Sequence, residues 1–282
     1  MLIVFPPFCS PGSLPYSVEH LRSVTGGEVL DLNLLFHKRH FLNFETLLKE
    51  SSQVYSDNNR KVLNNESPEL FDELLNEIVN RKAKCVAFSF VYSSQVFYGY
   101  ALLQKLKELG VRTVIGGPAV NDKLREVSIE MNFEDFVAEF GSGDSRMDFS
   151  NYEGYFIPEK VVPVKTSNSC YYRKCAFCTH FKGEYFEYSL DEIKKSLVNV
   201  KKVFLIDDMV KKERLVDISK MFFELGIEWM CQLKPSIEWD EETLNLLRGN
   251  GLKVVIWGVE SGNDRILKLM RKGTNVNDVK KV

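Results

Sequence analysis

The chain has 282 residues, 44% hydrophobic and 27% charged, which is enough apolar material for roughly two domains of ~100–200 residues and too much for a disordered segment. Its formal net charge of −2 offers no long-range attraction to phosphate backbones or anionic lipid. The densest basic clusters, Arg81-Lys82-Lys84 and Lys194-Lys195 with Lys201-Lys202, read as solvated helix surfaces, so no nucleic-acid partner is expected.

The opening apolar run, 2–5, stops at Pro6-Pro7. It is too short for a signal peptide or a membrane span, so a cytoplasmic protein without membrane attachment is expected. Six cysteines in that compartment argue for metal or redox chemistry over disulfides. After the strand at 2–5, a helix is predicted over 16–23 behind Pro15 and a strand over 28–32. Residues 33–66 are polar, with Asn58-Asn59-Arg60 and Asn64-Asn65, and suggest a helical insertion followed by a mobile loop. A helix begins at Pro68 with Leu70, Phe71, Leu74, Leu75, Ile78 and Val79 on one face. Strands at 84–91 and 111–115 flank a helix over 95–109 that stops at Gly110, and a last, weak strand is expected at 135–138. Strands separated by helices imply an α/β class with a doubly wound parallel sheet. The linker composition of 142–159 places the boundary near 150, giving domains 1–150 and 151–282.

Past the linker, strand and helix alternate again. Strands are predicted at 161–166, 203–206, 227–233 and 252–259. The helix after the first starts at the capping box Ser189-Leu190-Asp191-Glu192; the others cover 212–225, 241–248 behind Asp240, and 264–271, with Gly226, Gly251 and Gly273 as stops. Four such units suggest part of a (β/α) barrel, whose chemistry gathers at the carboxyl ends of its strands. Asp207-Asp208, Lys234 and Glu260-Ser261 fall at or near those ends, as does a loop carrying Cys170, Cys175 and Cys178.

Three thiols in nine residues, spaced C-x4-C-x2-C, can wrap one inorganic object. Three thiolates are one short of a closed zinc site or a fully ligated iron-sulfur cluster, so either a fourth ligand exists or a 4Fe-4S cube keeps one iron open. His180, two residues past Cys178, would complete a Cys3His zinc set and a non-catalytic binding module. Cys9, Cys85 and Cys231 read as packing residues.

The triad with Phe177 before its last cysteine, the strand ending Leu205-Ile206-Asp207-Asp208, and Gly258-Val259-Glu260-Ser261-Gly262 together resemble radical S-adenosylmethionine (SAM) enzymes. The upstream half is similar to the subgroup with an N-terminal cobalamin-binding domain, through Pro6-Pro7, Asp31-Leu32-Asn33 and Gly116-Gly117-Pro118. That resemblance implies a 4Fe-4S cluster on Cys170, Cys175 and Cys178, whose open iron chelates SAM and whose electron cleaves it to a 5′-deoxyadenosyl radical. It places Asp207-Asp208 at the SAM ammonium, Phe177 at the adenine, Glu260 and Ser261 at the ribose, Lys234 at the carboxylate, and Gly116 and Gly117 at a cobalamin. The bland alternatives are helix-capping acids, a surface lysine and a cofactor-free Rossmann-like domain.

Four residues separate the first two cysteines where the family commonly has three. The cobalamin-ligating D-x-H-x-x-G is absent, and Glu139 to Asp144 only partly matches the acidic glycine motif. The implied activity is methyl transfer to an unactivated carbon or phosphorus of a small-molecule or peptide substrate, with a flavodoxin or ferredoxin as reductant. A radical SAM enzyme without cobalamin, catalysing cyclisation or rearrangement, is the alternative. Family barrels have six units, so a chain ending after four is expected to be truncated.

Overall fold

Both faces of the first strand, β1 (Leu2–Phe5), are buried, so it shows no alternation of apolar and polar residues. A computed structural model describes residues 1–142, 146–149, 154–157, 159–178 and 184–282. It divides into two compact units, Met1–Glu159 and Lys160–Val282. In the first, β1 is followed by α1 (Tyr16–Thr25), β2 (Glu28–Asp31), α2 (Leu32–His40), α3 (Phe44–Leu63) and α4 (Phe71–Val79). Then come β3 (Val86–Ser89), a 3-10 turn (Ser93–Gln95), α5 (Val96–Glu108), β4 (Thr113–Gly116), α6 (Asp122–Arg125), β5 (Ile129–Glu130) and α7 (Phe133–Phe140).

The five strands lie in the order β2-β1-β3-β4-β5, every neighbouring pair parallel. Reversal of the order between β1 and β3 makes that gap the switch point of a doubly wound sheet. Its core gathers Leu2, Val4, Phe88 and Ile115 from the sheet with Phe36, Leu74, Leu102 and Leu106 from the helices.

Two expectations for this half are corrected. Residues 58–63 belong to α3 and form no mobile loop, because Asn58 is fully buried and pins the helix: its Nδ2 donates to the Val54 carbonyl at 2.9 Å and its Oδ1 accepts from Glu69 N at 2.6 Å. Residues 135–138 are helical, inside α7, and β5 lies just upstream. Asn132 caps that helix by accepting from Asp135 N at 2.8 Å, and Phe136 and Phe140, one turn apart with ring centroids 5.2 Å apart, pack on Cys85, Ala87 and Val114.

The second unit contains β6 (Val162–Val164), β7 (Ser167–Asn168), β8 (Phe186–Glu187), α8 (Leu190–Ser196), β9 (Lys202–Leu205), α9 (Lys212–Glu224) and β10 (Glu228–Leu233). It continues with α10 (Glu241–Gly249), β11 (Leu252–Trp257), α11 (Asp264–Leu269) and α12 (Val276–Lys281). Strands β6, β9, β10 and β11 form a parallel sheet in chain order. Trp229, Cys231 and Leu233 alternate into its core. The α/β class holds for both units.

Ser189 sits at the start of α8 without a side-chain cap, so the expected capping box does not form. Asp240 does cap α10, accepting from Thr243 N and Oγ1 at 2.8 Å each. Among the described residues no helix is long and apolar enough to cross a membrane.

Candidate functional site

The cysteine loop leaves the sheet through a narrow neck. Just beyond β6 the short antiparallel pair β7 and β8 aligns Ser167 with Glu187 and Asn168 with Phe186, and Asn168 Nδ2 reaches the Glu184 carbonyl at 2.9 Å. Asp207, past the end of β9, holds the same neck from below. Only 2% exposed, it accepts from Thr166 N at 2.9 and 3.0 Å, Ser167 N at 2.6 Å and Ser167 Oγ at 2.6 Å. Burial pushes its carboxyl above the usual carboxylate range, against the pull of those donors. Three of these contacts fall on Oδ1 and one on Oδ2, so Asp207 ties the neck to β9, and the exposed member of the acidic pair is Asp208.

Ser169 and Arg173 take left-handed backbone, at φ 60° and 51°, as the chain turns around the thiols. Cys170, Cys175 and Cys178 form no disulfide, and each is partly buried. Burial raises the Cys175 thiol, Lys272 and Lys234 pull it down, and the neighbouring Cys178 and Cys170 push it up. Ser169 is 2% exposed and its Oγ finds no hydrogen-bond partner among the described residues, a polar atom awaiting a ligand beside Cys170.

Among the described residues no three His, Cys, Asp or Glu side chains converge as ligands of a single metal ion. A cluster asks for a different arrangement, because each thiolate takes its own iron and the sulfurs stay apart. The donor set and the orphaned hydroxyl therefore fit a cluster. His180, the fourth ligand of the zinc alternative, lies outside the described residues.

A turn that sequence inspection takes only for a helix end closes over this loop. Between α11 and α12, the Met270 carbonyl accepts from Ala176 N at 2.8 Å and the Arg271 carbonyl from Tyr172 Oη at 2.9 Å. Lys234, at the end of β10, sits with Nζ 4.1 Å from the Tyr172 ring centroid and 3.4 Å from the Gly273 carbonyl. Phe177 is 47% exposed, with Lys272 Nζ 5.6 Å from its centroid. Glu260, past β11, binds Lys272 at 2.8 Å from left-handed backbone at φ 63°. Ser261 turns back through its N–H to the Val259 carbonyl at 2.8 Å. Thus the thiols, Phe177, Lys234 and Glu260 share one edge of one sheet, joined by Tyr172 and Lys272, for which sequence gives no signal beyond the stop glycine at 273.

No family model matches the chain. Over 135 residues it is 26% identical to cytidylyl-2-hydroxyethylphosphonate methyltransferase of Streptomyces wedmorensis, an alignment covering 43% of this chain and 25% of that enzyme. The match thus spans about a quarter of the relative's length.

The edge expected to hold cobalamin is occupied by the fold itself. A Cβ on Gly117 would lie 2.3 Å from the Phe90 carbonyl oxygen, so this glycine makes room for backbone, whereas one on Gly116 would lie 3.4 Å from the Met131 oxygen, an ordinary contact. Asp31 caps α2 through Leu34 N at 2.8 Å and accepts from Tyr155 Oη at 2.8 Å. Asn33 accepts from Cys9 N at 2.9 Å, and Gln95 Nε2 donates to the Pro6 carbonyl at 2.7 Å. Glu139 pairs with Arg112 at 2.5 Å, while Gly143 and Asp144 of the acidic glycine motif lie outside the described residues. Each of the residues singled out for cobalamin thus has a part in the first unit's own fold.

Proposed function

We propose that the chain carries the core of a radical SAM enzyme, with a 4Fe-4S cluster on Cys170, Cys175 and Cys178 and SAM along the carboxyl edge of the second sheet. The four strands of that sheet would form part of the (β/α) barrel. One observation carries the proposal: three thiols on one loop, a buried hydroxyl with no partner among the described residues, a half-exposed aromatic ring and a lysine-bound carboxylate meet at one end of consecutive parallel strands.

When bound, the cluster supplies the electron that cleaves a carbon–sulfur bond of SAM. The chain's own residues bind and orient. Phe177 offers a ring face to the adenine. Glu260 and Ser261 would take the ribose hydroxyls, Lys234 the carboxylate, and the pair Asp207-Asp208, through its exposed member Asp208, the ammonium. The thiols ligate as thiolates, which Lys234 and Lys272 favour at Cys175.

Likeness to a methyltransferase supports methyl transfer to an unactivated carbon or phosphorus as the outcome. The substrate would be a small molecule or peptide, and the electron donor a flavodoxin or ferredoxin. Cobalamin enters through the family resemblance alone and no residue here is assigned to it; its retention on a desalting column separates the cobalamin-dependent enzyme from the cobalamin-free one.

Anaerobic reconstitution of the wild-type chain should yield bound iron and acid-labile sulfide, both lost in Cys175→Ala, and dithionite with SAM should release 5′-deoxyadenosine. Zinc without sulfide would instead establish the binding module, and unchanged iron in Cys175→Ala would overturn the ligand assignment.

A further inference from the structure

Lys272 is 8% exposed, and a lysine so buried costs several kcal/mol of lost hydration unless something offsets its charge. Its partner is Glu260, at 2.8 Å. The pair is not a surface ornament, because the fold makes room for it. A Cβ on Gly258 would sit 3.1 Å from Lys272 Nζ and 3.3 Å from Glu260 Oε1, so any larger residue there would press on both partners.

The same ammonium stands 5.6 Å from the Phe177 ring centroid, within the range at which a cation is attracted to an aromatic face. Lys272 therefore touches the cysteine loop through Phe177 and the loop after β11 through Glu260. Its own backbone lies between Arg271, at φ 52°, and Gly273, at φ 67°, in the turn that Ala176 and Tyr172 bind. Glu260 at φ 63° holds left-handed backbone that side-chain-bearing residues rarely adopt, and the ion pair ties its carboxylate to Lys272. With Oε1 on the lysine, Oε2 is the oxygen left to accept a hydroxyl.

We propose that Lys272 is a positioning residue of this site: through its ion pair it fixes the Glu260 carboxylate beside the Phe177 ring, in the arrangement that receives a nucleoside. The inference rests on the SAM-binding proposal above and adds a residue that none of the motifs contains. Pre-organisation of this kind acts on affinity, because the carboxylate need not be ordered when the ligand arrives. Its signature is coupling, since Lys272 works only through Glu260.

The experiment measures SAM dissociation constants in the reconstituted full chain for wild type, Lys272→Met, Lys272→Arg, Glu260→Gln and the Lys272→Met/Glu260→Gln double variant, with iron and sulfide assayed in each. Compared at equal cluster content, Lys272→Met should bind SAM about tenfold more weakly, a difference of about 1.4 kcal/mol. Lys272→Arg should recover most of that loss, and the double variant should bind no more weakly than Glu260→Gln alone. Wild-type affinity in Lys272→Met, or losses that multiply in the double variant, would overturn the inference and leave the enzyme proposal standing. If Lys272→Met does not fold, Glu260→Gln decides, and wild-type affinity there overturns it equally. A wild-type chain that takes up cluster but no SAM would overturn both.

Discussion

His37 and Asp31 sit in one polar network with protonation preferences that run against each other. Burial holds the fully buried His37 down to about 4, its Nδ1 donating to the Asn33 carbonyl at 2.6 Å and its Nε2 facing the Tyr55 hydroxyl. Burial also lifts Asp31 to about 6, against the pull of Leu34, Tyr155, Asn33 and Lys38. Between about pH 4 and 6 unfolding makes His37 gain a proton and Asp31 lose one, so their contributions to the pH dependence of stability oppose. Asp31→Asn leaves the histidine unopposed, and its stability should fall more steeply than wild type as pH drops from about 6 to 4. His37→Gln leaves the aspartate unopposed and should gain relative to wild type over the same fall. Urea unfolding at a series of pH values checks both signs, and parallel curves for all three proteins would refute the assignment.

Asp207 is the other residue whose part only coordinates reveal. Sequence shows two adjacent acids at a strand end; which of them faces inward depends on the register of β9 and on the neck it meets. Because Asn offers one acceptor where the neck presents several donors, Asp207→Asn should destabilise the second unit by about 2–3 kcal/mol, measurable as a lower urea midpoint.

At the scale of elements, strands and helices with one uniform signal were legible and those decided by partners were not. Leu2 to Phe5 and Val86 to Ser89 are continuous apolar runs with buried faces on both sides, and they form the strands their composition implies. Residues 135–138 read as a strand because aromatic and β-branched residues favour strands in isolation, while the Asn132 cap and the Phe136 contact with Cys85, Ala87 and Val114 fix a helix. The β7 and β8 pair was invisible: two residues a side carry no pattern, and the ladder exists because Asp207 already holds Ser167 in place.

The glycines make a similar distinction measurable. Gly117 has φ 115° and would place a Cβ 2.3 Å from the Phe90 carbonyl, which the Ala119 N–H already binds at 3.1 Å. Gly110, at φ 70°, would meet nothing within 4 Å. Gly110→Ala should therefore cost only backbone strain, about 1 kcal/mol, and Gly117→Ala more than about 2 kcal/mol, because backbone must move as well. Equal shifts in urea midpoint would show that the overlap at Phe90 is relieved at no cost.

For the whole molecule, the division at Glu159 and Lys160 makes each half responsible for its own properties. The core around Leu2, Val4, Phe88 and Leu102 is drawn wholly from the first unit, as is the network of Cys9, Asp31, Asn33 and His37. The cysteine loop, its neck, Asp207, Lys234, Glu260 and Lys272 all belong to the second. Residues 1–159 expressed alone should unfold in one cooperative transition and reproduce the opposed pH responses of Asp31→Asn and His37→Gln. Residues 160–282 alone should take up iron and sulfide anaerobically and lose them on Cys175→Ala, because the three proposed ligands and the contacts described for the loop, from Asp207, Met270 and Arg271, lie within that segment. A 1–159 fragment that binds a hydrophobic dye and melts without a transition would show that its core needs the second unit. A 160–282 fragment that binds no iron while the intact chain does would place part of the cluster site in the first unit.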